Sequence, residues 1–123
     1  MKTGEAIYAR THAEFLNEAF GTNYKAWMKC TWKCGDGWVV WMVRFDENND
    51  KWTNTFLPDS RIKETNFNAP SEYIKKIDKK KIVFQIVGNG SSRRYIFKGK
   101  YVYDEANSDP YTSRFYNKVS DEL

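Results

Sequence analysis

Two stretches of this chain set cations beside rings or glycines at spacings that could hold a phosphate or a base. In the first, Lys25, Trp27, Lys29, Thr31 and Lys33 fall at every second position, so an extended backbone puts one ring among cations on a single face. In the second, Arg94, Lys98 and Lys100 alternate along a later segment, directly after Gly88-Asn89-Gly90-Ser91-Ser92-Arg93. Glycine-rich backbone can present several N–H groups together, and the guanidinium forks of Arg93 and Arg94 match phosphate oxygens bidentately. Cations that meet phosphates and rings that stack bases, at about 1–3 kcal/mol per base, are the chemistry of single-strand or flipped-base binding. The plainer alternative is that lysines at period two mark a solvent-facing strand and that the two arginines are solvated.

Catalytic constellations are mostly missing from the sequence. His12 is the sole histidine and sits inside a helix-start signal rather than near a nucleophile turn. No phosphate-binding loop, dinucleotide fingerprint or His-Glu-x-x-His is present. Pro58-Asp59 could open a metal-dependent nuclease set, but the strand expected over residues 81–87 offers Gln85 and no acid to complete it. The carboxylates Asp46, Glu47, Asp50, Asp104, Glu105 and Asp109 fall in expected loops, where solvated turn residues are the usual reading. Cys30 and Cys34 are the only cysteines, and four ligands are wanted for structural zinc. They are read as buried thiols at a strand end. The expectation is therefore a protein that is not an enzyme and carries neither cofactor nor metal.

Aromatic residues make up 17% of the 123 positions, with five Trp, eight Tyr and eight Phe. Each buried ring covers about 150–250 Å². A chain this short is one domain, residues 1–123, and it cannot readily hide them all, so some rings are expected on a groove or an interface. Net charge is +4, and the surplus is uneven. Residues 75–100 carry Lys75, Lys76, Lys79, Lys80, Lys81, Arg93, Arg94, Lys98 and Lys100 against the single acid Asp78. Such polarity suits an anionic partner. No apolar run approaches the ~20 residues of a membrane span, and no secretory h-region follows Met1-Lys2. The expected compartment is the cytoplasm.

Positioning these residues requires a β-rich frame. Thr11-His12-Ala13-Glu14 is a capping box, and Phe15, Leu16, Ala19 and Phe20 follow at helical spacing until Gly21, predicting a helix over 12–20. Residues 24–33 alternate, with Met28, Cys30 and Trp32 as the expected core face. Cys34-Gly35-Asp36-Gly37 is a turn, and 38–45 is apolar on both faces, as in a central strand. A strand over 51–57 follows the turn at 47–50 and completes an expected meander. Residues 58–68 read as irregular, and Pro70 as the first turn of a second short helix running into the lysine-rich stretch. Strands over 81–87, 93–103 and 111–119 complete the set. In the second of these, Tyr95, Phe97, Gly99, Tyr101 and Tyr103 are expected on one face. The class is α+β and β-rich, a strongly curved mixed or antiparallel sheet or small barrel of about six strands with two short helices.

The run Arg94-Tyr95-Ile96-Phe97-Lys98-Gly99-Lys100-Tyr101, with Tyr103-Asp104 after it, resembles the closing strands of PUA-like barrels, the superfamily of the ASCH, EVE and SRA modules. That resemblance implies a small barrel with an aromatic pocket for a base, its rings sought among Trp27, Trp38, Trp41 and Trp52. The preferred expectation is a non-enzymatic nucleic-acid-binding module that recognises a flipped or modified base. Trp27, Lys29, Lys33, Arg93, Arg94, Lys98 and Lys100 would contact the nucleic acid, and Trp38, Trp41 and Trp52 would offer stacking surfaces. A second reading fits the same composition: a small protein-binding inhibitor or adaptor, such as a phage product that blocks a bacterial nucleic-acid enzyme, since Trp, Tyr and Arg dominate interface hot spots. A homodimer that buries the surplus rings is a third.

Overall fold

The computed structural model describes residues 1–47, 52–66 and 77–123. Eight strands and one α-helix occur among them, with a single 3-10 turn at Gly90–Ser92: β1 (Ala6–Tyr8), α1 (His12–Phe20), β2 (Thr31–Gly35), β3 (Trp38–Val43), β4 (Trp52–Phe56), β5 (Ile62–Asn66), β6 (Lys80–Val87), β7 (Arg94–Tyr103) and β8 (Ser113–Ser120). They form one mixed sheet in the order β2-β3-β6-β7-β8-β5-β4, and β1 pairs with β7. β1 and β8 share one edge of β7 end to end. Residues 6–8 lie along residues 94–96, and residues 116–120 along residues 100–103.

The helix forms as its capping signal predicts. Thr11 accepts the Glu14 N–H at 3.1 Å, Glu14 Oε2 accepts the Arg10 N–H at 2.9 Å, and Gly21 closes the helix in the left-handed region with φ +68°. Its inner face stacks Phe15 on Tyr95, with ring centroids 4.2 Å apart.

Alternation along β3 sends side chains to two cores. Val40 and Met42 join Phe15, Leu16, Phe84 and Phe97 beneath α1. Trp41 and Val43 join Ile62, Val83, Tyr101 and Tyr116 on the opposite face. Strands from β3 round to β5 feed this second core, and Phe56 of β4 packs on it, so the sheet curls about it. The Asp46 N–H meets the Asn54 carbonyl at 2.7 Å, linking the chain beyond β3 to β4. No β2–β4 ladder closes the curl into a barrel among the described residues.

Several expectations are corrected. The strand read over 24–33 begins only at Thr31. The segment before it is held by side chains instead: Asn17 Nδ2 donates to the Tyr24 carbonyl at 2.9 Å, and the Tyr24 N–H donates to Asn17 Oδ1 at 2.8 Å. Met28 is 91% exposed and Cys30 is also exposed, so neither belongs to a core face, and Cys34 is only half-buried. The meander is absent. β3 runs parallel to β6, and β4 pairs with β5, the stretch within 58–68 that reads as irregular. β5 hides its alternation because Ile62 and Glu64 point inward together, one apolar and one charged. The sheet therefore has eight strands where about six were expected, the additions being β1 and β5. The helix expected from Pro70 falls mostly on residues 70–76, outside the described residues.

The β7 face assignment also changes. A bulge interrupts the β6–β7 ladder, where Phe97 faces Phe84 but Gly99 faces Val83. One extra residue flips the parity of everything beyond it. Tyr95 and Phe97 thus enter the core under α1, whereas Tyr101 enters the other. Gly99 permits the bulge. Its φ is +126°, and a Cβ there would lie 2.9 Å from the Ser120 carbonyl oxygen.

Candidate nucleic-acid interface

The inner face of the curl holds the three buried charged side chains among the described residues: Glu64, Lys81 and Arg114. Their proximity follows from register. Asn54 of β4, Glu64 of β5 and Arg114 of β8 are successive cross-strand partners and make one row across the sheet. Lys81 reaches this row from β6. Its Nζ lies 3.3 Å from Glu64 Oε1, 3.9 Å from the Trp41 ring centroid and 4.3 Å from that of Tyr116. The Arg114 guanidinium sits 4.3 Å over Trp52, and its Nε donates to the Pro110 carbonyl at 3.0 Å.

Asn54 Oδ1 has no hydrogen-bond partner among the described residues, and the Tyr116 hydroxyl is turned toward the Glu64 carboxylate. Burial, followed by the nearby Glu64 carboxylate, pushes the Tyr116 pKa up, so the group stays a protonated donor. A depression of about 220 Å³, bordered by Cys30, Arg44 and Glu47, reaches Trp41 and Asn54 from the surface. The cluster holds acceptors at Asn54 and Glu64 and donors at Lys81 and Tyr116, while Lys81 and Arg114 cover the Trp41 and Trp52 rings. Acceptors for an exocyclic amine beside donors for a ring nitrogen and carbonyl are what the pairing edge of cytosine requires.

The sequence-predicted residues separate into three places. Trp27, Lys29, Thr31 and Lys33 do come together, with Tyr24 and Trp32, in a cleft of about 370 Å³ beside β2. Arg93 turns inward, donating to the Tyr95 hydroxyl at 2.7 Å and lying 3.4 Å from His12 Nδ1. The same imidazole is 2.7 Å from the Tyr95 hydroxyl. Burial first, then the charges of Arg93 and Arg44, lowers the His12 pKa, which keeps the ring neutral at pH 7. Lys98 and Lys100 do not extend as a row with Arg94. The bulge parts them, and each covers a ring, Lys98 over Phe56 at 4.1 Å and Lys100 over Trp38 at 4.1 Å. Trp38 is half-buried beneath Lys100 and Lys80, Trp41 is 4% exposed in the inner core, and Trp52 is half-buried under Arg114.

Sequence reasoning missed Asn54, Glu64, Lys81, Arg114 and Tyr116. Lys81 is hidden in a run of lysines. Its one signal is position: it starts the alternation Lys81, Val83, Gln85 on a strand whose other residues, Ile82, Phe84 and Ile86, are all apolar.

Comparison with known proteins assigns the frame. The profile of the SET and RING associated (SRA) domain matches residues 1–123, and the chain belongs to that family. Among solved structures, the 5-hydroxymethylcytosine-specific restriction enzyme AbaSI superposes with a TM-score of 0.74 at 24% identity, covering 98% of this chain and 40% of that one. At that identity the likeness is one of fold. The chain spans well under half the length of that enzyme. Comparison with curated protein sequences finds no match. Nucleic-acid binding through a PUA-like fold, the coarse expectation from the β7 strand, is thereby supported.

Proposed function

We propose that this chain is a non-catalytic DNA-binding module that takes a modified cytosine, flipped out of the duplex, into the inner face of its curled sheet. One observation carries the reading: the buried row Asn54–Glu64–Arg114, joined by Lys81 and Tyr116, with the acceptor Asn54 Oδ1 left unpartnered where a surface depression reaches it. Leaving a buried acceptor bare costs about 1–3 kcal/mol, which a donor on a ligand would recover. SRA family membership and the shared fold with an enzyme specific for 5-hydroxymethylcytosine support modified cytosine as the base. The rest of the duplex would be held by surface cations, so affinity would fall steeply with salt.

The test is a set of otherwise identical duplexes carrying one cytosine, 5-methylcytosine or 5-hydroxymethylcytosine, titrated by fluorescence anisotropy at fixed salt. A modified duplex is expected to bind several-fold more tightly than the unmodified one, the difference arising from the C5 substituent. Asn54→Ala is expected to weaken binding to all three duplexes, because the pairing edge it would meet is common to them, while leaving salt-dependent binding to a duplex without the target cytosine in place. Equal affinity for all three duplexes, or binding to the modified duplex indifferent to Asn54, would overturn the proposal.

A further inference from the structure

The cleft beside β2 lies apart from the cluster just described. Tyr24, Trp27 and Trp32 pack against the core beneath α1, on the opposite face of the sheet from Glu64 and Lys81. Its rings are fixed by their polar edges. The Trp27 indole N–H donates to the Thr31 carbonyl at 3.1 Å, and that of Trp32 donates to the Tyr24 hydroxyl at 2.9 Å. Tyr24 and Trp27 contact each other with centroids 4.8 Å apart and planes inclined by 39°. With both indole donors engaged, what the cleft offers a ligand is ring surface and charge. Lys29 and Lys33 line it, both are exposed, and among the described residues neither forms an ion pair. No acidic side chain lines it.

Preset ring faces flanked by unpaired ammonium groups match a ligand that is planar at one end and anionic at the other. We infer that this cleft is a second nucleic-acid site, which binds an unpaired nucleotide of single-stranded DNA, stacking its base on Trp27 and Tyr24 and meeting its phosphates with Lys29 and Lys33. A buried site for an apolar ligand would not be rimmed by lysines. A duplex edge would present no free base to the rings. This site is independent of the modified-cytosine reading, because none of its residues belongs to the Asn54–Glu64–Arg114 row.

The experiment titrates a labelled ten-residue dT oligonucleotide into the whole chain, reading anisotropy together with tryptophan fluorescence. Saturable binding with quenching is expected. Lys29→Glu with Lys33→Glu alters exposed side chains only and is expected to weaken binding by at least tenfold. The log–log salt slope should drop by about 1.4, or about 0.7 for each of two single-strand phosphate contacts. Trp27→Phe, which keeps a ring in the packing, should reduce the quench. Asn54→Ala should leave this binding unchanged, whereas it should weaken binding to the modified duplex. Competition by dTMP that depends on the same lysines would support a single nucleotide as what fills the cleft. Absence of single-strand binding, or binding indifferent to the two lysines, would overturn the inference and leave the modified-cytosine reading intact.

Discussion

Glu64→Gln isolates the electrostatics of the inner face. Both carboxylate and ammonium are removed from water, with side chains 11% and 7% exposed. At 3.3 Å and an effective dielectric constant of 20, their attraction is about 5 kcal/mol, most of which offsets the cost of desolvating the two charges. The intact pair is thus nearly neutral for stability, but removing one partner strands the other. Gln keeps the shape and an acceptor oxygen yet leaves Lys81 charged between Trp41 and Tyr116, whose ring faces recover only part of the loss. A destabilisation of about 3 kcal/mol is expected, at the low end of what breaking a buried pair costs. Urea unfolding followed by tryptophan fluorescence would show it as a lower midpoint with an unchanged slope. Lys81→Met in the same background should recover at least half of that loss, since it removes the stranded charge while keeping an unbranched stem. A single variant within about 0.5 kcal/mol of the parent, or a double variant no better than the single one, would refute a charged pair as the organiser of this cluster.

Two further outcomes follow from particular residues. Gly99→Ala forces a side chain into φ +126° and against the Ser120 carbonyl, so thermal denaturation should show a loss of at least about 1–3 kcal/mol from backbone strain. His12 has a folded pKa below its unfolded value of 6.5, so the unfolded chain binds the proton first as pH falls. Its contribution to stability is full above 6.5 and is lost between 6.5 and the lower folded pKa. Urea midpoints should therefore decline from pH 7.5 to 5.5 in the parent and decline less in His12→Gln; parallel profiles would refute the assignment.

Local signals in this chain were legible, and non-local ones were not. Thr11 and Glu14 announce α1, because a cap is decided within four residues. The apolar faces of 38–43 mark a central strand, because burial on both sides leaves its trace in one segment. Nothing in β3, however, says that its second neighbour is β6, running parallel and some forty residues away. Strict alternation also misleads past Lys98, since a bulge needs only one glycine that tolerates its backbone. The inner cluster escaped for a related reason. Asn54, Glu64 and Arg114 look like ordinary polar strand residues until three strands align them. The Trp27 cleft was visible in outline, as its rings and lysines lie within ten residues of one another, although its backbone is looped rather than extended until Thr31.

The end-to-end arrangement of β1 and β8 along β7 has a consequence for engineering. It draws the two ends of the chain together: the Leu123 N–H donates to the Met1 carbonyl at 2.8 Å, and Thr3 bonds Asp121. A short linker could therefore join residue 123 to residue 1 without bending either strand, and new ends could be opened at the exposed turn Glu105–Asn107. Such a circularly permuted chain would keep both faces of the sheet. It would also move any fused reporter from the corner where β1 and β8 meet to the opposite end of β8, so the same domain could present a tag at either of two places.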